Sequence, residues 1–251
     1  MGEDFTKADL TGARFEEVDL SGAWFRNVYL KGVVMRGVWM QDVDIDAYLD
    51  DVTINGVEIG PLVEAELDRR DPDRVVLRAR TADELRAAWV TIERRWAAAV
   101  ERARALPEDL LHERVLDEWS FIETLRHLVL ATDAWVLRVV LGDPSPYHPL
   151  GLPHTEMEVI EGVPNDPDAR PTLDEVLAVR ESRFAVMREV LAGLTDERLD
   201  GMTEPVLEVG YPASEAYPVR RALGAIVNEE WLHREYAERD LAVLEQRLTA
   251  G

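Results

Sequence analysis

Every fifth residue from Phe5 onward is large and apolar: Phe5, Leu10, Phe15, Leu20, Phe25, Leu30, Met35, Met40 and Ile45. Two positions earlier runs a second row, Ala8, Ala13, Val18, Ala23, Val28, Val33, Val38 and Val43, all small or β-branched. A helix returns to one face every 3.6 residues and a strand every 2, so a period of five fits neither. The phase breaks after Ile45 and resumes at Val52-Thr53-Ile54 and Val57-Glu58-Ile59, which makes Asp46 to Asp51 a corner insertion. Repeats of this kind are stabilised by their neighbours, and a stack this short is expected to lean on the chain beyond it.

After residue 60 the period changes. Residues 61–80 read as a linker with a short helix, Leu62 to Arg69, ended by Asp71-Pro72-Asp73. Thr81-Ala82-Asp83-Glu84 is a capping box, in which Thr81 accepts from the backbone and Glu84 reaches back. It opens a helix to about Ala105. A second helix is expected from about Glu118 to Leu141, stopped by Gly142-Asp143-Pro144. A Pro-rich connection then runs to Pro171. Thr172-Leu173-Asp174-Glu175 repeats the capping box and starts a third helix to about Leu194. Pro218, suited to a first turn, starts the fourth, which runs to about Leu248. Four long helices with two long connections over residues 81–251 describe a four-helix bundle.

Composition narrows the chemistry. Fifty Asp and Glu against 28 Lys and Arg leave a net charge of −22, which disfavours phosphate backbones and anionic lipid. Residues 1–60 hold 12 acidic and 5 basic groups, so most of the acidity lies in the helical part. With no Cys there is no disulfide, no thiolate metal ligand and no protein thiol nucleophile. The start shows no secretory signal and charges interrupt every apolar stretch, so the expected compartment is the cytoplasm.

Histidines and carboxylates remain as reactive groups. His112, His148 and His154 fall in loops or at loop edges, and His154 with Glu156 and Glu158 suggests a lid. His127 and His233 sit inside the second and fourth helices. Around His127 the face holds Ser120, Glu123, Thr124, Ala131 and Ala134, either a solvated stripe or the wall of a cavity. The fourth helix carries Asn228-Glu229-Glu230-Trp231-Leu232-His233-Arg234, where Glu229 and His233 are one turn apart. Two His and one carboxylate suit borderline divalent metals and leave coordination positions open. The apolar stripe Val219, Leu223, Ile226, Ala237, Leu241, Leu244 and Leu248 nevertheless places Glu230 nearest its centre, and Glu229 about 90° away. A charged Glu in an apolar stripe requires a partner.

Two resemblances sharpen this. Ala8-Asp9-Leu10-Thr11-Gly12 and Val18-Asp19-Leu20-Ser21-Gly22 resemble pentapeptide repeats, which implies a short right-handed quadrilateral β-helix over residues 1–60. Leu125-Arg126-His127-Leu128, Asp133-Ala134-Trp135 and Asn228 through Arg234 resemble the DinB/YfiT-like metalloenzyme superfamily, whose fourth-helix motif is Asn-His-x-x-x-His-Arg. The resemblance implies a divalent metal (Zn, Ni, Fe or Mn) on His127, Glu229 and His233, with Glu in place of the motif's first His. The motif selects Glu229 and periodicity selects Glu230; we take Glu229, with Glu230 as the alternate. It further implies a metal-dependent thiol transferase or isomerase that uses mycothiol or another small thiol on a small electrophile, in a homodimer. Two other readings stay open: an acidic pentapeptide-repeat interaction protein that imitates DNA, and a metal-free bundle that binds a small molecule.

Overall fold

A computed structural model describes residues 4–250, with the side chain of Ala250 excepted. It divides into two compact units, residues 1–48 and 49–251.

In the first unit the five-residue rhythm is written into the backbone. Lys7, Gly12, Glu17, Gly22, Asn27, Gly32, Gly37 and Asp42 all take positive φ, one left-handed residue per repeat. Gly, Asn and Asp meet that demand at little cost, whereas Lys7 and Glu17 do so as ordinary L-residues. Asp9 and Asp19 each accept from the backbone N–H two residues on, at 2.9 Å, tightening the turn as an Asx turn does. The β-helix expected here is present only as this succession of turns. Among the described residues 4–48 there is no strand, and no backbone hydrogen bond joins residues one coil apart. The row from Phe5 to Ile45 stays 46–63% exposed. A stack of so few coils can cover its interior from one side at most, so the apolar row is left open.

The only sheet among the described residues belongs to the second unit. It pairs β1 (Thr53–Ile54) with β2 (Val57–Glu58), antiparallel. Asn55 and Gly56, at φ 52° and 80°, make the two-residue turn that Asn-Gly favours. Helix α1 (Gly60–Arg70) and a 3-10 turn (Pro72–Arg78) come next, with buried Arg74 tied to Glu64 at 2.9 Å. The bundle is α2 (Ala82–Arg104), α3 (Phe121–Thr132), α4 (Leu173–Ala192) and α6 (Val219–Ala250), with a single turn, α5 (Asp196–Leu199), before the last. No helix among the described residues is long and apolar enough to cross a membrane.

Capping boxes open three of these helices: Thr81 with Glu84, Ser120 with Glu123, and Thr172 with Glu175. Because Ser120 is the cap, α3 begins at Phe121 rather than near Glu118. At its far end α3 passes into a π-helical stretch, Asp133–Val140, whose wider turns are common near functional sites. The core is a continuous cluster that includes Trp89, Trp96, Leu125, Met187, Leu223 and Leu241. Trp89 meets Phe184 edge-on at 5.3 Å.

Both long connections are fastened by arginines that are buried without a carboxylate. Arg126, on α3, donates to the carbonyls of Leu150 (3.0 Å), Ala169 (3.0 Å) and Asp166 (2.5 Å) in the α3–α4 connection. Arg138, in the π-helical stretch, donates to those of Val206 (3.3 Å), Glu208 (2.5 Å) and Pro212 (3.3 Å) before α6. A guanidinium presents five donors, so one side chain can satisfy carbonyls that an irregular segment leaves unpaired.

Candidate metal centre

Residue 127 on α3 and residues 229 and 233 on α6 face one another across the bundle. One donor atom from each of His127, Glu229 and His233 lies within 4.8 Å of the others. His127 Nε2 is 3.4 Å from Glu229 Oε2, and His233 Nδ1 is also 3.4 Å from that oxygen. The two imidazoles stack with centroids 4.8 Å apart, and Trp119 lies against both, at 4.5 and 5.9 Å.

The surrounding hydrogen bonds decide which nitrogens are free. His127 Nδ1 lies 3.0 Å from the Leu152 carbonyl, and His233 Nδ1 lies 3.1 Å from the Glu229 carbonyl. A carbonyl only accepts, so each Nδ1 carries its proton and each Nε2 is left turned toward the other donors. An outer carbonyl that orients the imidazole in this way is what metal-ligating histidines usually have. Leu152 is itself held, because its N–H donates back to the Arg126 carbonyl at 3.2 Å. Burial, and then the nearby His127, push His233 down to about 4, so it is neutral near neutral pH.

Glu229 supplies the test of fit. Its Oε2 is shut off from solvent and has no hydrogen-bond partner. Burial pushes this carboxyl up, but the imidazoles of His127, His233 and His154 outweigh that and hold it below the usual range. The donor set of two imidazole nitrogens and one carboxylate oxygen is one that borderline divalent metals accept, so the residues fit such an ion.

Glu230, the alternate, is not part of this group. It is 1% exposed and gives both oxygens to Arg180, at 2.6 and 2.7 Å. Arg180 also lies over Phe184, 4.6 Å from its centroid. The partner that an inward Glu requires is thus an arginine from α4, which leaves Glu229 to the histidines. The face around His127 is no solvated stripe: Ser120, Thr124, Ala131 and Ala134 are buried, and Glu123 is held by Arg114.

Sequence matching places this site in a family. A model of the DinB superfamily matches residues 91–237, which contain all three donors. The chain belongs to the DinB superfamily. A second model, of pentapeptide repeats, matches eight copies over residues 4–44. No curated protein and no solved structure matches the chain.

Two residues outside the helices feel the charge of these groups. His154, from the α3–α4 connection, is pushed down by burial and by His127 and also feels the charge of Glu229. Tyr211, from the connection before α6, is raised by burial and by Glu229. Their rings meet edge-on at 6.4 Å. Of the other loop histidines, His148 accepts from the Leu150 N–H through Nδ1, and His112 lines a small polar hollow with Ser120 and Arg170.

Proposed function

We propose that the chain is a divalent-metal-dependent enzyme that uses a low-molecular-weight thiol of the mycothiol type on a small electrophile. The observation that carries the metal reading is the unpartnered Oε2 of Glu229 facing two oriented imidazoles. His127, Glu229 and His233 would hold the ion, and three protein ligands leave positions for a substrate. When bound, a divalent ion supplies the charge that makes a thiol acidic enough to be a thiolate near neutral pH.

The protein's own groups do the rest. The Leu152 and Glu229 carbonyls fix the imidazoles, and Trp119 packs against both rings. The chain has no Cys, so the reacting sulfur has to come from a cosubstrate. The family match and the donor set support this reading over an acidic DNA mimic, whose charge would need to be concentrated in the repeats. Cobalt(II)-loaded protein titrated with a mycothiol-like thiol tests the thiol step. A sulfur-to-cobalt charge-transfer band that saturates at one thiol per chain is expected. Cobalt uptake with no such band would leave a metal protein but remove the thiol.

A further inference from the structure

A hollow of about 380 Å³ lies between α2 and α4, walled by Trp96, Ala97, Val100, Leu177 and Phe184 and reaching Leu125 on α3. None of the three metal donors lines it. The α2 positions 93, 96, 97 and 100 and the α4 positions 177, 181, 184 and 188 recur every three or four residues, so each helix turns one face to it. The volume is that of a small-molecule pocket, and the lining is mostly apolar. Arg180 also lines the hollow, but both its terminal nitrogens are spent on Glu230, at 2.6 and 2.7 Å, so that pair brings no net charge.

The charges at the solvent edge identify the occupant. Glu93 on α2 and Glu181 on α4 share a single cation there: Arg188 donates Nε to Glu93 Oε1 and Nη1 to Glu181 Oε1, each at 2.9 Å. Two carboxylates on one guanidinium leave one negative charge. The Oε2 atoms of both glutamates accept no hydrogen bond from the described residues. An apolar wall beside unspent carboxylate oxygens is complementary to a small amphipathic monocation. A primary ammonium suits best, because its three N–H donors can meet oxygens from both helices. Trp96 and Phe184 add aromatic surface for a flat body. We propose that this hollow binds a small arylalkyl primary amine, its ring between α2 and α4 and its ammonium at Glu93 and Glu181. The inference is independent of the metal centre.

The test is isothermal titration of the full chain with 2-phenylethylamine, 2-phenylethanol and phenylacetate at neutral pH. One amine per chain should bind, about tenfold more tightly than the alcohol, the scale of one hydrogen bond between charged groups, with phenylacetate weakest. Glu181→Gln should bring the amine down to the affinity of the alcohol. Ala97→Trp fills the hollow from an exposed position, so the fold tolerates it, and should abolish binding of both. His233→Ala removes a metal donor and should leave amine binding unchanged. No saturable amine binding, or equal affinity for amine and alcohol, overturns the inference. So does amine binding that survives Ala97→Trp, or that is lost in His233→Ala, which would put the amine at the metal centre.

Discussion

His127 Nε2 and Glu229 Oε2 face each other across 3.4 Å, and that oxygen is shut off from solvent. On the next residue of the same helix, Glu230 is fully satisfied by Arg180. Two adjacent glutamates therefore meet opposite surroundings, one paired inside the core and the other set against two histidines.

Removing the charge at Glu229 should weaken the site without unfolding the bundle. Glu229→Gln is expected to lower metal affinity by at least the 10–100-fold that losing even an outer partner of a ligand costs. Glu229→His, which restores the motif's first histidine, should keep the metal. Competition against a chromophoric chelator measures both. Equal affinities for Glu229→Gln and the unsubstituted chain would take Glu229 out of the ligand set.

The Arg180–Glu230 pair makes a contrasting prediction on stability. Arg180→Met alone strands a buried carboxylate and should cost about 3–5 kcal/mol, whereas Arg180→Met with Glu230→Leu should cost far less. Urea denaturation of the two single variants and the double variant gives the coupling. Additive losses would mean that the two side chains do not depend on each other.

Acid should destabilise the chain through histidines outside the metal site. Burial, then Arg170, holds His112 below its ordinary 6.5; burial, then Arg183, does the same to His148. Below about 6.5 the unfolded chain binds protons that the folded chain refuses, so stability is full above that pH and falls as pH drops through it. The urea midpoint should fall between pH 7.5 and 5.5, and less steeply in His112→Gln/His148→Gln. An unchanged slope in the double variant would exclude these two residues as the cause.

What the sequence made legible was local. The five-residue period marks the repeats, and the Thr81–Glu84 and Thr172–Glu175 boxes mark helix starts because cap and partner are three residues apart. Two local signals are overridden by a stronger pattern. Asn55-Gly56 is a hairpin turn, though the resumed repeat phase hides it. Ser120 is a cap, though it also fits the face of His127. The rest depends on distant partners. Glu230 lies on the apolar stripe because of Arg180, fifty residues away, which periodicity along one helix cannot see. The connections that carry His154 and Tyr211 are held because Arg126 and Arg138 grip backbone carbonyls, and a carbonyl looks the same whatever residue bears it.

The central claim is that His127, Glu229 and His233 bind a divalent metal. Elemental analysis of the full chain, purified without chelator, measures it directly. The account predicts about one divalent ion per chain, lost in His233→Ala and retained in Glu230→Gln. A chain free of divalent metal, or one whose metal survives His233→Ala, would contradict it.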